Sequence, residues 1–155
     1  MSATRAFADL SKGLIHATVE IRVPPARVFL ALTSNEITKW WIRPGVFDTR
    51  EWVGDVRVGG KWRASGIGNG NPYALEGEFT ELDPPHKLAH TWHPVGAPIP
   101  PSIVTYTLEE IEGGTRLRVV HSGLSAPPPM FSNTSVGWET SLDKLTELLS
   151  VNIAR

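Results

Sequence analysis

The alternation of apolar and polar residues is clearest near the start of the chain. Over residues 15–23 the odd positions are apolar and most even positions are polar, which predicts a strand with one buried face. Pro24 and Pro25 end that strand, and proline is well tolerated in the first turn of a helix. The pattern therefore predicts a helix over residues 26–32. A second short helix, capped by Thr33 or Ser34, is predicted to end at the Trp40–Trp41 pair.

The rest of the chain alternates as strands until one long helical stretch. Residues 44–55 are interpreted as an irregular connection that carries Phe47 and Trp52, and the three prolines at 127–129 as a stiff extended spacer. An apolar stripe at helical spacing predicts a final helix over residues 134–152. Five strands are predicted, over residues 61–67, 73–82, 88–93, 103–110 and 115–121. The fold class is therefore α+β, with an antiparallel sheet wrapped around a long C-terminal helix.

Such a sheet cannot close tightly on one helix everywhere, so a cavity is expected between them. The alternation gives the inward-facing residues, which are Trp62, Ala64, Gly66, Tyr73, Leu75, Phe79, Val104, Tyr106, Leu108, Leu117, Val119 and His121. Ala64, Gly66 and Gly77 are small for core positions. They mark either free space or a bend where the strands curl, and the sequence leaves both readings open.

Composition narrows the class of protein further. The 155 residues include 15 basic and 16 acidic ones without a basic run, so neither nucleic acid nor an anionic membrane is an expected partner. The absence of cysteine excludes disulfides, thiol catalysis and thiolate metal sites. No secretory signal or membrane-spanning stretch is present, so a cytoplasmic location without membrane insertion is expected. Residues 1–12 are predicted to be a flexible tail, and residues 13–155 one domain.

An ordered set of short motifs carries a family resemblance. These motifs are V-P-P-A-R-V-F, Trp40–Trp41, V-G-G-K-W, L-A-H-T-W, H-S-G-L and Gly137–Trp138. Together they resemble the activator of heat-shock-protein-90 ATPase homologue-like family, within the START-related (SRPBCC) helix-grip superfamily. The resemblance implies a curved antiparallel sheet gripping a long C-terminal helix, with two short helices after the first strand. It brings no catalytic motif, and chaperone activation is not expected because the eukaryotic activator uses a separate N-terminal domain.

Ten residues are predicted to bind a ligand in the cavity, and they are Trp40, Trp41, Trp62, Tyr73, His90, Trp92, Tyr106, His121, Phe131 and Trp138. Tyr106 and His121 are expected to supply its polar specificity. His121 is placed at the cavity mouth, where imidazole can act as a general acid or base, orient a ligand or cap a loop. Exposed aromatic residues near the mouth could alternatively cap the core or form a homodimer patch.

Other candidate sites have simpler explanations. His90 and His93 are three residues apart in a strand and point to opposite faces, so they cannot share one metal ion. His90 is expected to face inward, as a hydrogen-bonded core histidine or a cavity residue. The glycines of residues 66–70 suit a hairpin better than a phosphate loop. Arg57 beside the Gly59–Gly60 bend can clamp a carboxylate or a neighbouring loop. No metal or cofactor is expected.

The leading functional hypothesis is a domain that binds a small hydrophobic or amphipathic molecule, and not an enzyme. The first alternative is a cyclase- or hydrolase-like enzyme that uses the same cavity, with His121 as its general acid or base. The second is a chaperone-associated or other protein-binding domain that acts through its surface.

Overall fold

The computed structural model describes residues 5–9, 13–43, 47–96, 98–123 and 128–153. These residues form nine strands and three helices. In chain order they are β1 (Arg5–Asp9), β2 (Leu14–Ile21), α1 (Pro25–Leu32), α2 (Ile37–Trp40), β3 (Ile42–Arg43), β4 (Phe47–Gly54), β5 (Lys61–Gly68), β6 (Asn71–Asp83), β7 (Lys87–Pro94), β8 (Ser102–Ile111), β9 (Gly114–Ser122) and α3 (Pro128–Ile153).

All the strands belong to one antiparallel sheet with the order β1-β2-β9-β8-β7-β6-β5-β4-β3. Helices α1 and α2 carry the chain from β2 to the opposite edge, where β3 begins. Helix α3 contacts β1 and β2 at one edge of the sheet and β3 at the other. A single helix can touch both edges only if the sheet curls around it. The structure therefore confirms the predicted helix-grip α+β fold.

The core follows the predicted alternation. On β2 the odd-numbered residues from Ile15 to Ile21 are buried, and they face the equally buried Leu117 and Val119 of β9. The apolar stripe of α3, which comprises Trp138, Leu142, Leu145 and Leu149, is completely or almost completely buried. Burial of each such aliphatic side chain stabilises the fold by about 1.5–3 kcal/mol. None of the helices in the described part of the chain has the length and apolarity needed to cross a membrane.

The structure corrects the sequence analysis in three segments. Arg5–Asp9, which falls in the predicted flexible tail, is a strand that pairs antiparallel with β2. Gly13, whose φ is 64°, lies in a turn directly before β2. Residues 47–54 are a strand and not an irregular connection. A bulge between Thr49 and Glu51 shifts the alternation there and hides the strand signal. Helix α3 begins at Pro128, because proline in a first turn loses no intrahelical hydrogen bond.

The glycines at 66 and 77 mark close backbone approaches and not free space. A β-carbon at Gly66 would overlap the carbonyl oxygen of Asp48, next to the bulge in β4. At Gly77 it would overlap the carbonyl oxygen of Thr91 on β7. The free-space interpretation is therefore wrong for both glycines, whereas Ala64 lines a cavity.

Candidate functional site

A cavity of about 40 Å³ lies between the sheet and helix α3. All six tryptophans of the chain line it. Its complete lining is Leu32, Ile37, Trp40, Trp41, Trp52, Trp62, Ala64, Leu75, Phe79, His90, Trp92, Tyr106 and Trp138. These residues come from α1, α2, the residue after α2, α3 and strands β4–β8, so only the folded chain brings them together.

The indole N–H groups divide the tryptophans into two sets. Trp40 donates to the carbonyl oxygen of Ala31 at 2.9 Å, Trp62 to that of Thr91 at 3.3 Å, and Trp138 to a ring nitrogen of His121 at 3.1 Å. These three side chains are buried and held in place by their hydrogen bonds. The other three tryptophans, Trp41, Trp52 and Trp92, are only partly buried. Solvent therefore reaches part of this second set, and no hydrogen bond among the described residues involves their indole N–H groups.

A local break in the sheet ladder supplies one of these acceptors. The backbone N–H of Glu78 donates to the Thr91 hydroxyl at 2.9 Å, which leaves the Thr91 carbonyl free for side chains. That carbonyl accepts from Trp62 Nε1 and from His90 Nδ1. It can reach them because Gly77, opposite, has no β-carbon in the way. Gly77 thus permits an arrangement that fixes two residues of the cavity wall.

His90 presents an uncharged acceptor at the cavity wall. A carbonyl oxygen can only accept, so the 2.9 Å contact to Thr91 places a proton on Nδ1 of His90. Burial lowers the pKa of His90 to about 4, and the ring is therefore neutral at pH 7 with a bare Nε2. The rings of Trp62, Tyr106 and Phe79 surround it, with centroids 5.0, 5.8 and 6.1 Å away. His90 thus adds a polar atom to a wall that is mostly apolar and aromatic.

Tyr106 is the second polar group of the wall. Burial raises the pKa of its hydroxyl, so the hydroxyl stays protonated and can donate as well as accept. Among the described residues that line the cavity there is no Lys, Arg, Asp or Glu. The described lining residues are therefore uncharged at neutral pH, and their polarity rests on His90, Tyr106 and the indole N–H groups.

His121 lies behind the cavity wall in a hydrogen-bonded chain. Trp138 Nε1 donates to Nδ1 of His121, so the imidazole proton is on Nε2, which lies 2.7 Å from the Ser102 hydroxyl. Ser102 in turn donates to the carbonyl oxygen of Trp92 at 3.1 Å. The chain joins α3, β9, β8 and β7, and it holds Trp138 against the cavity. Burial, followed by the proximity of His90, lowers the pKa of His121 to about 3.

His121 therefore lies deeper than the sequence analysis placed it. It is fully buried and is not one of the cavity-lining residues. Both ring nitrogens already have protein partners, and protonation of Nδ1 would oppose the indole N–H of Trp138. A ring held neutral in this way is poorly suited to general acid–base catalysis, which needs a group that exchanges protons near the working pH.

The structure places the ten predicted ligand-binding residues as follows. Seven of them line the cavity, and these are Trp40, Trp41, Trp62, His90, Trp92, Tyr106 and Trp138. Tyr73 lies elsewhere, with its hydroxyl 2.6 Å from that of Thr49, and the side chain of Phe131 is outside the described residues. Trp52 is the principal lining residue missing from the prediction, since the bulge conceals the alternation of β4. Phe79 and Leu75 were predicted to face inward but were not assigned to the site.

The remaining candidates have local partners. His93 points away from the cavity, and its Nε2 lies 2.9 Å from the carbonyl oxygen of Ile99, so His90 and His93 do face opposite sides of the sheet. Within the described part of the chain, no cluster of three or more His, Asp or Glu residues could hold a metal ion. Arg57 pairs with Asp55 at 2.6 Å on the exposed side of its turn, which is the loop-clamp arrangement.

Comparison with known proteins identifies the family. The family described as "Activator of Hsp90 ATPase homolog 1-like protein" matches residues 22–150, so the chain belongs to it. The resemblance noted from the motifs is thereby confirmed. No curated protein matches the chain.

Solved structures share the fold over nearly the whole chain. A protein from Chromobacterium violaceum is 30% identical, with a TM-score of 0.80 over 88% of this chain and 96% of its own. CalU16 from Micromonospora echinospora is 25% identical, with a TM-score of 0.64 over 100% and 88%. DynU16, described as a protein in the dynemicin biosynthetic locus, is 20% identical, with a TM-score of 0.72 over 90% of this chain and 48% of its own. The family and fold support a ligand-binding domain in general terms.

Proposed function

We propose that this member of the Hsp90 ATPase activator homolog 1-like family binds a small hydrophobic or amphipathic molecule between its sheet and its C-terminal helix. The observation that carries the proposal is the convergence of all six tryptophans on one cavity. Tryptophan combines a large apolar surface with an N–H donor, so it can contact both the apolar and the polar parts of a ligand. Aromatic walls with a few polar atoms are typical of small-molecule sites.

The cavity must widen to take such a ligand. Its volume of about 40 Å³ holds no more than a few water molecules, whereas sites for drug-sized ligands span roughly 300–1,000 Å³. Trp41 is the side chain best placed to move, because it is partly buried and packs edge-on against Trp138 at a centroid distance of 4.7 Å. Its neighbour Trp40 is fixed by a backbone hydrogen bond. We therefore expect ligand binding to displace Trp41 and leave Trp40 in place.

Binding is favoured over the enzymatic alternative by the state of the two histidines near the cavity. His121 has both ring nitrogens engaged, and the low pKa of His90, about 4, makes it a weak base at neutral pH. The neighbour from the dynemicin locus shares the fold, and at 20% identity it adds no argument for a particular reaction.

Tryptophan fluorescence provides a direct test, since every tryptophan of the chain is at the proposed site. Titration with 1-aminoanthracene, a neutral aromatic amine, should quench the emission saturably with one site per chain. Ala64→Leu should abolish this quenching, because the added carbon atoms enter the cavity from its wall. Val58→Leu, at a position 64% exposed, adds bulk outside the cavity and is the matched control.

Two results would count against the proposal. The first is the absence of saturable quenching in the wild-type protein, also with naphthalene as the titrant. The second is equal quenching in Ala64→Leu and wild type, which would place the probe outside the cavity. A thermal unfolding curve for each variant verifies that it is folded before the comparison is made.

A further inference from the structure

His90, in the cavity wall, has a ring nitrogen that can only accept a hydrogen bond, and this indicates the class of ligand. We infer that the site selects an uncharged, ring-bearing molecule with an O–H or N–H group that donates to Nε2 of His90. The inference rests on the proposed function and deepens it, because it names the chemistry that distinguishes one apolar ligand from another.

A hydrogen bond to the backbone fixes the orientation of the His90 imidazole. Its Nδ1–H is committed to the Thr91 carbonyl at 2.9 Å, and that carbonyl is free to accept because the Glu78 N–H uses the Thr91 hydroxyl instead. Nε2 is on the opposite edge of a ring that lines the cavity. Among the described residues, no donor is hydrogen-bonded to Nε2, and Nε2 is not one of the fully buried atoms without a partner. A neutral imidazole held in this way can only accept at Nε2.

Aromatic rings surround the His90 imidazole. Trp62, Phe79 and Tyr106 present rings to His90 with centroids 5.0–6.1 Å away, so a ligand donor there would sit among aromatic faces. Leaving a desolvated acceptor unpaired is costly, whereas pairing it recovers that cost. A ligand with a donor is therefore favoured over an otherwise equal ligand without one. A neutral hydrogen bond of this kind changes affinity by about tenfold.

The described lining residues offer no charged partner to an ionic ligand. The described lining residues include no basic side chain to accompany a carboxylate and no acidic one to accompany an ammonium group. Transfer of an unpaired ion into such a site is strongly unfavourable. Aromatic faces attract cations, but a cation would leave Nε2 of His90 unpaired unless it also carried a donor. The site therefore favours neutral donors such as phenols, alcohols and indole-like N–H groups.

Calorimetric titration with a matched ligand series tests the inference. The series is 2-naphthol, 2-methoxynaphthalene, 2-naphthoate and the cation tetramethylammonium. Wild type should bind 2-naphthol about tenfold more tightly than 2-methoxynaphthalene and should bind neither ion measurably. His90→Phe keeps an aromatic ring and removes the acceptor, so it should bind 2-methoxynaphthalene and lose the preference. His93→Phe, the same replacement at the histidine that points away from the cavity, is the control variant that should retain the preference.

The outcomes separate the two proposals. If no neutral naphthalene compound binds wild type, the proposed function fails and this inference fails with it. If both bind equally, if the preference persists in His90→Phe, or if an ion binds best, this inference alone is overturned. A second measurement does not depend on the variants. In ¹⁵N NMR, 2-naphthol should shift the Nε2 resonance of His90, and an unchanged resonance in the bound protein would also refute the inference.

Discussion

Replacement of His121 by leucine should destabilise the protein through the hydrogen bonds it removes. His121 is fully buried, accepts from Trp138 at 3.1 Å and donates to Ser102 at 2.7 Å. Leucine has a similar volume, so the change leaves little empty space. The leucine side chain offers neither an acceptor nor a donor, so the indole N–H of Trp138 would remain buried without a partner.

The magnitude follows from the groups that are left unpaired. An unsatisfied buried donor costs about 1–3 kcal/mol, and loss of an ordinary hydrogen bond about 0.5–1.5 kcal/mol. The Ser102 hydroxyl keeps its bond to the Trp92 carbonyl, so it adds only the smaller amount. We expect His121→Leu to lower the free energy of unfolding by about 2–4 kcal/mol, a large share of the stability of an ordinary domain.

A double-mutant cycle identifies the source of this loss. Urea unfolding followed by far-UV circular dichroism is measured for wild type, His121→Leu, Trp138→Phe and the double variant. Phenylalanine at 138 removes the N–H that His121→Leu leaves unpaired, so the double variant should lose about 1–2 kcal/mol less than the sum of the single losses. A cost below about 0.5 kcal/mol for His121→Leu, or strictly additive costs, would refute this reasoning.

Two further predictions concern backbone space and pH. Gly77→Ala should lower the free energy of unfolding by about 2 kcal/mol or more, because the methyl group overlaps the Thr91 carbonyl. Gly137→Ala, in helix α3, should raise it by about 0.5–1 kcal/mol, because the methyl group meets only the Phe47 ring at an ordinary contact distance of 3.7 Å. Urea midpoints distinguish the two. Burial lowers the pKa values of His90 and His121 to about 4 and about 3. Below about pH 6.5 both histidines therefore become protonated in the unfolded state while they stay neutral in the folded state. As the pH falls further, the free energy of unfolding should decrease by roughly 1.4 kcal/mol per pH unit for each ring. Above about pH 6.5 the folded protein should keep the full contribution of the two neutral rings to its stability. Urea midpoints that do not change between pH 7 and pH 5 would contradict the lowered pKa values of His90 and His121.

The fold was largely predictable because its signals are local. Alternation over residues 15–23 identifies the buried face of β2, and the stripe from Trp138 to Leu149 identifies the buried face of α3. The same alternation correctly placed Trp62, His90 and Tyr106 toward the interior. These predictions need only the two-residue period of a strand and the 3.6-residue period of a helix.

Other parts of the fold and site were not predictable from local pattern. The bulge at Thr49 shifts the period of β4, so Trp52 was not recognised as a lining residue although it lies in the cavity wall. The strand Arg5–Asp9 is too short to show a clear period, and it exists because β2 offers it a paired edge.

Local patterns in the amino-acid sequence were enough to predict the fold class and most inward faces, and the composition alone showed the large number of tryptophans. The three-dimensional arrangement was needed to show that all six tryptophans meet in one cavity, that Nδ1 of His90 is bound to the Thr91 carbonyl in its wall, and that His121 is hydrogen-bonded to Trp138. The physical reason is that hydrogen bonds between side chains depend on distances across several strands and a helix. Residues as far apart in the chain as Ser102, His121 and Trp138 meet only when the sheet curls around α3.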